Sequence, residues 1–299
     1  MNTDCLDHIL TDAEREFFNT QGYLVVENAL DAAACERVIA VMDRVDARER
    51  TEALAGKLLS VTDVMGEDDA LVDLIDCPKT FPKVWGILGW NIYLYHSHLD
   101  VTPNESARRQ DWHVAWHQDS MRVNDEIESD PRPRLSLKIG FYLTHVSEPG
   151  RGNTLIVPGS HLQNAIDCPQ DGQSNPPGAE PLCVPAGSAV LVDRRIWHSR
   201  SANESELTRK VMWLGYSYRW LRPKDEMTVA QLYPRLDPIR RQLLGDGVSA
   251  NGTYDPTPED VPLRTWLKEH HPPSASPSPH GASQSRPPAM GRGKNTGRN

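Results

Sequence analysis

The segment Trp112-His113-Val114-Ala115-Trp116-His117-Gln118-Asp119-Ser120 constrains the chain more than any other. It reads as a strand-like run. Side chains of a strand alternate between faces, so His117 and Asp119 point the same way, with Cα atoms about 6.6 Å apart. An imidazole and a carboxylate presented together are two arms of a metal clamp, and the fold has to bring the third arm from elsewhere.

The candidate third arm is His198, 79 residues beyond Asp119, at the end of Gly187-Ser188-Ala189-Val190-Leu191-Val192-Asp193-Arg194-Arg195-Ile196-Trp197-His198. Two histidines and one carboxylate on one face of an octahedron form the facial triad of non-haem Fe(II) oxygenases, which leaves three positions open for cosubstrate and dioxygen. His-x-Asp alone is a short pattern that chance supplies about once in a chain of this composition. The chain holds a second, His98-Leu99-Asp100, with His96 on the same strand face. Taken in isolation, that competitor looks the more metal-like of the two.

A chain of 299 residues can bury a sizeable core, and one β-barrel-like domain with extensions accounts for the length. The net charge of −9 argues against nucleic acid or an anionic membrane as the main partner and favours a small molecule. Five scattered cysteines (Cys5, Cys35, Cys77, Cys168, Cys183) with no Cys-x-x-Cys pair fit neither a disulfide framework nor a zinc site, and suit a reducing cytoplasm. No apolar run approaches the ~18 residues of a membrane span, and the first residues lack the pattern of a signal peptide. The expectation is a cytoplasmic protein, monomer or homodimer.

In chain order, Thr11 with Glu14 three residues on is a capping box that opens a helix. Gly22-Tyr23-Leu24-Val25-Val26 reads as a strand, and Asp31 caps an amphipathic helix over 32–42. Residues 46–70 read as charged and irregular, 78–89 as a short helix ending at glycine, and 91–101 as a strand. Residues 122–134 and 163–181 read as long polar loops, the first a candidate lid, with Arg122, Arg132 and Arg134 placed to meet a substrate. Strands follow at 135–143, 152–157, 187–193 and 209–218, a series that indicates an all-β sandwich or barrel. Helical patterning returns over 225–245. Residues 271–299 are Pro, Ser, Gly, Arg and Asn with four basic side chains and no acid, predicted to be a disordered tail. The expected organisation is one domain over 1–270: helices at about 11–90, a core at about 91–220, and a helical part at about 225–270.

The ordered motifs Trp116-His117-Gln118-Asp119, Pro158-Gly159-Ser160-His161, His198 and Arg209, eleven residues after His198, decide between the two His-x-Asp pairs. Over residues 11–220 the chain resembles the phytanoyl-CoA dioxygenase family of Fe(II)/2-oxoglutarate oxygenases. The resemblance implies a double-stranded β-helix (jelly-roll) core with flanking helices. It also implies that His117, Asp119 and His198 bind iron, and that Arg209 holds the distal carboxylate of 2-oxoglutarate. A guanidinium suits that task because it offers a planar fork to a carboxylate and stays charged when partly buried. The family's hydroxyl residue two positions after the second histidine is Arg200 here, so Ser201 is the stand-in and Arg200 a candidate substrate contact, with Arg122 and Trp116. Phe141, Asn153 and Thr154 fall where the family lines its cosubstrate pocket, although Phe141 equally fits ordinary core. His161 reads as structural.

The implied reaction is hydroxylation, or another oxidation begun at an unactivated C–H bond, using dioxygen and converting 2-oxoglutarate to succinate and CO2. Asp119 fills the position that related halogenases leave vacant for chloride, so halogenation is not expected. A secondary metabolite or amino-acid-like compound is the expected substrate class, because the loops lack the basic cluster that a coenzyme A phosphate needs. The alternatives are an acyl-CoA hydroxylase of the same family, a non-catalytic jelly-roll binding protein, and a zinc hydrolase with the same ligands.

Overall fold

The computed structural model describes residues 1–107 and 112–272. The predicted tail lies outside the described residues from 273 onward. The first strand, β1 (Tyr23–Val26), follows helix α1 (Asp12–Gln21), whose capping box forms as predicted: Thr11 accepts from the Glu14 amide while Glu14 accepts from the Thr11 amide. Helix α2 (Ala32–Glu49) begins at Asp31, which accepts from the Ala34 amide. The stretch read as irregular instead contains strand β2 (Leu59–Thr62) and helix α3 (Asp69–Val72). β2 is too short to declare a period, and its pairing with the next strand creates it. Helix α4 (Phe81–Leu88) ends at Gly89, and strand β3 (Ile92–Thr102) follows.

Past the 103–120 segment lie α5 (Met121–Glu126), β4 (Ser136–Tyr142), β5 (Thr154–Ile156), β6 (Glu180–Pro181), β7 (Ser188–Asp193), β8 (His198–Arg200) and β9 (Arg209–Tyr218), then α6 (Pro238–Leu243) and α7 (Pro262–His270). The strands form two antiparallel sheets, one in the order β1-β7-β4-β9-β3-β2 and one in the order β6-β5-β8. This is the jelly-roll class with helices outside it.

The larger sheet is buried on both sides. Leu137, Ile139, Phe141, Leu191, Met212 and Leu214 point outward into a core built with the helices, which contribute Phe18, Met42, Val84, Leu243 and Leu263. Residues of opposite parity, Tyr142, Val190, Val192, Val211 and Trp213, point inward and meet Ile156 of the smaller sheet. Every residue of β4 is buried, including Ser136 and Lys138, although its hydropathy alternates as in a half-exposed strand. Gly140 on β4 has a local cause: a Cβ there would lie 2.7 Å from the Trp213 ring, so only glycine lets the indole lie against the strand.

Candidate active site

The 112–120 segment is extended without being a full strand, because it pairs with β8 only at His117 and His198, in an isolated antiparallel bridge. Each of these residues donates its amide to the other's carbonyl at 3.0 Å. Directly opposed residues share a face, so the bridge puts both imidazoles on the barrel's interior side, with ring centroids 4.3 Å apart. The next inward residue, Asp119, is held by its own backbone: its amide donates to Arg194 O at 2.9 Å and its carbonyl accepts from Asn124 Nδ2 at 3.0 Å.

Among the described residues, His117, Asp119 and His198 form a group whose ligand atoms all lie within 4.8 Å of one another and could hold a metal ion. The orientation of each arm supports that use. His117 Nδ1 lies 2.9 Å from Ala115 O, and His198 Nδ1 lies 2.9 Å from Ile196 O. A carbonyl can only accept, so Nδ1 carries the proton in both rings and both Nε2 atoms keep a lone pair for a metal. Burial pushes the His198 imidazole down to about 4 against the opposing pull of Asp119, so it is neutral, the ligating form, at neutral pH. Burial alone would raise the pKa of Asp119, but the ammonium of Lys138 and the nearby His198 hold the carboxyl well below its usual range. Asp119 Oδ1 accepts from Lys138 Nζ at 2.7 Å, whereas Oδ2 is buried without a partner. A buried carboxylate oxygen left unpaired is costly unless something positive meets it, and a metal ion does.

His117 and His198 line a cavity of about 370 Å³, whose walls also include Lys138, Thr154, Arg200, Arg209, Trp112 and Trp213. Arg209, first residue of β9, is 2% exposed. Its Nη2 reaches Thr154 Oγ1 at 3.4 Å, its guanidinium carbon lies 5.7 Å from the Tyr142 ring centre, and Asp100 is 3.8 Å from Nη1. Nε and Nη1 make no hydrogen bond. Burial lowers the Arg209 pKa, yet a guanidinium stays charged in proteins. A buried cation with free donors facing a cavity calls for an anion there, and the donor set fits a carboxylate of a bound diacid. Gly152, at φ +68°, makes room for this side chain, since a Cβ would sit 2.9 Å from Arg209 Cδ.

The remaining predicted residues divide. Thr154 lines the cavity and also accepts from the Tyr142 hydroxyl at 2.8 Å. Arg200 lines it too, but its fork grips Glu105 at 2.7 and 3.1 Å and its guanidinium lies 4.6 Å from the Trp112 ring centre. Phe141 points into the outer core, opposite to the cavity, and the aromatic beside Arg209 is Tyr142, one residue later and so on the other face. Asn153 is fully buried and spends its amide on Val146 O and Leu182 O as a structural brace. Ser201 Oγ is buried without a partner and is not among the cavity-lining residues. Trp116 lines a separate depression of about 140 Å³ with Trp197, Asn124 and Arg132.

None of the candidate lid arginines lines the cavity, and Arg132 and Arg134 brace the fold. Arg122 is exposed on α5 and pairs with Glu126; Arg132 donates to Asn124 O, Gln118 Oε1 and Asn164 O; Arg134 pairs with Asp193. His161 is buried and bonds Asn19 O, a structural role. The competitor pair lies in the opposite wall of the same cavity. His96 is tied to Asp225, Asp100 accepts from Trp213 Nε1 at 3.2 Å, and His98 stacks between His96 and Trp213. Burial pushes His98 down to about 3, so it is neutral. Sequence patterning did not single out Lys138 or Glu105. A lysine in an otherwise apolar strand, at even spacing from Gly140 and Tyr142, is the signal for the first; nothing local marks the second.

The chain is similar in sequence and in fold to several known proteins. The family profile described as phytanoyl-CoA dioxygenase (PhyH) matches residues 18–211. An uncharacterised protein of Mycobacterium tuberculosis is 28% identical over 202 residues, covering 65% of this chain and 70% of its own length. The ectoine dioxygenase of Nocardia farcinica is 22% identical over 236 residues, covering 67% and 75%. Among solved structures, HygX from Streptomyces hygroscopicus with nickel and 2-oxoglutarate bound superposes with a TM-score of 0.59 at 14% identity, over 72% of this chain and 90% of that one. HygX has also been solved with hygromycin B bound. The epimerase SnoN in complex with Fe3+, alpha ketoglutarate and nogalamycin RO gives 0.53 at 23%, over 70% and 84%.

Proposed function

The chain belongs to the phytanoyl-CoA dioxygenase family, whose members are 2-oxoglutarate-dependent non-haem iron oxygenases, and from that premise we propose that it oxidises an unactivated C–H bond of a small polar metabolite or amino-acid-like compound. The observation that carries this reading is a pair of unsatisfied buried groups: Asp119 Oδ2, on the carboxylate grouped with two correctly oriented histidines, and the Arg209 fork, which lines the cavity that those two histidines also line. Iron bound by His117, Asp119 and His198 supplies the oxidising chemistry with dioxygen and 2-oxoglutarate. The chain's own residues do the rest. Arg209 and Thr154 hold the distal carboxylate, Tyr142 fixes the Thr154 hydroxyl, and Trp112, Trp213 and Val192 give the cavity apolar wall.

The cavity is too small to enclose a coenzyme A thioester together with 2-oxoglutarate, since drug-sized ligands alone occupy pockets of about 300–1,000 Å³. Small substrates are also what the relatives' names suggest, with ectoine and hygromycin B as examples. We further propose that residues 1–270 act as one unit, because side chains from Leu10 to Leu263 join one core. The test is succinate release from 2-oxoglutarate in the presence of Fe(II) and dioxygen, screened against polar metabolites and cyclic amino-acid derivatives. The reading requires iron-dependent succinate release that a subset of compounds stimulates. Absence of 2-oxoglutarate turnover with every compound, in protein shown to contain Fe(II), contradicts it.

A further inference from the structure

We propose that Lys138 is a positioning residue that makes Asp119 a one-oxygen metal ligand and so keeps a coordination position open for the cosubstrate. This inference rests on the iron-site reading above and adds a role that the triad does not imply. Lys138 stands on β4 between Leu137 and Ile139, both outward-facing core, so it points into the barrel, where a lysine has no solvent to reach. Lys138 is 9% exposed and Asp119 5%. Nζ meets Asp119 Oδ1 at 2.7 Å and has no other hydrogen-bond partner among the described residues.

A carboxylate can bind a metal through one oxygen or both, and the choice is made by whatever occupies the second oxygen. Around Asp119 the backbone is fixed from both sides by Arg194 O and Asn124 Nδ2, which leaves rotation of the carboxylate as the freedom that remains. The donor that Lys138 brings to Oδ1 removes that freedom and leaves Oδ2 alone for the metal. An ammonium suits the task better than a neutral donor. The buried carboxylate keeps a partner for its charge, and a second oxygen that is already bonded to a cation has little to gain by turning toward another. If both oxygens bound, one of the three open positions would close, and a chelating 2-oxoacid needs two of them with a third for dioxygen.

The test compares wild type with Lys138→Met, which keeps the stem and removes the donor, and Lys138→Arg, which restores a cation. The readouts are the visible d–d absorption of the Co(II)-substituted protein without cosubstrate, which reports coordination number, and the 2-oxoglutarate concentration needed to change that spectrum. The expected result is that Lys138→Met still binds Co(II), shows a different d–d spectrum, and needs roughly 10- to 100-fold more 2-oxoglutarate, the usual scale for losing a group that orients a ligand. Lys138→Arg should move both readouts back toward wild type. An unchanged Co(II) spectrum in Lys138→Met overturns the inference, and if only the 2-oxoglutarate requirement moves, Lys138 meets the cosubstrate and not the ligand. Should Lys138→Met fail to fold by circular dichroism, Lys138→Leu, which also lacks a donor, takes its place: a changed spectrum supports the inference and an unchanged one overturns it. A wild-type protein that binds Co(II) but never responds to 2-oxoglutarate removes the parent reading instead.

Discussion

Arg209 enters the barrel with a charge and no carboxylate close enough to bond it, since the nearest, on Asp100, is 3.8 Å away. Charge-assisted hydrogen bonds contribute about 1.5–3 kcal/mol, so Arg209→Ala should weaken 2-oxoglutarate binding by roughly 10- to 150-fold while leaving metal binding nearly unchanged. Equilibrium titration of the metal-loaded variant measures this, and an unchanged requirement for 2-oxoglutarate would remove Arg209 from the site. Tyr142→Phe is a milder case: it deletes the hydroxyl that orients Thr154 and should raise the 2-oxoglutarate KM a few-fold, about 1 kcal/mol, with kcat held. At this scale the sequence is legible where spacing carries geometry. His117, Asp119 and His198 are grouped by their place in an ordered set of motifs, which also carries Arg209 through the family resemblance; the structure brings the three ligand candidates within 4.8 Å of one another and puts His117, His198 and Arg209 on one cavity. It is illegible where a single step of strand parity decides. Phe141 and Tyr142 are both aromatic, both buried and adjacent, and only the pairing of β4 with β7 and β9 tells which one faces inward.

Elements are pinned by a few polar joints, of which the end of β7 is the most concentrated. Asp193 is fully buried and accepts from Arg195 at 2.8 and 2.7 Å and from Arg134 at 2.6 Å. Burial would raise its pKa, but the two guanidiniums hold it below the ordinary aspartate value of about 3.9. The unfolded chain therefore takes up a proton at this position before the folded protein does. The stabilisation is full above about pH 5 and fades as pH falls below the unfolded value toward the folded one. Asp193→Asn should cost about 3–5 kcal/mol at pH 7, the scale for breaking a buried pair from one side, and progressively less as pH falls below the unfolded value. Urea unfolding of both proteins across that range checks it; a loss independent of pH would mean packing and not charge. Arg134 shows why this joint is invisible in the sequence: a charged, proline-containing loop looks the same whether its charges greet a ligand or brace the chain. Strand β2 escapes for a related reason, since four residues carry too little pattern to be read without the edge of β3 beside them.

For the whole molecule, a site assembled from the 112–120 segment, β4, β5, β8 and β9 makes the barrel's two sheets close on whatever occupies the cavity. Ligands that bind only the folded state should stabilise all of it: about 2.7 kcal/mol is expected when a ligand is present at 100 times its Kd. Ni(II) with 2-oxoglutarate should therefore raise Tm by several degrees, and 2-oxoglutarate without metal by much less. Differential scanning fluorimetry reads this directly, and an equal shift without metal would place the diacid elsewhere. Among the described residues no helix is long and apolar enough to cross a membrane.

The metal assignment is tested most directly by an anaerobic titration of the protein with Fe(II) and 2-oxoglutarate, following the visible charge-transfer band of the chelate in wild type, His117→Ala and His98→Ala. A band is expected in wild type and in His98→Ala and none in His117→Ala, because both histidines line the cavity and His117 is the proposed metal ligand. A band that survives in His117→Ala, or that His98→Ala alone abolishes, would contradict the assignment.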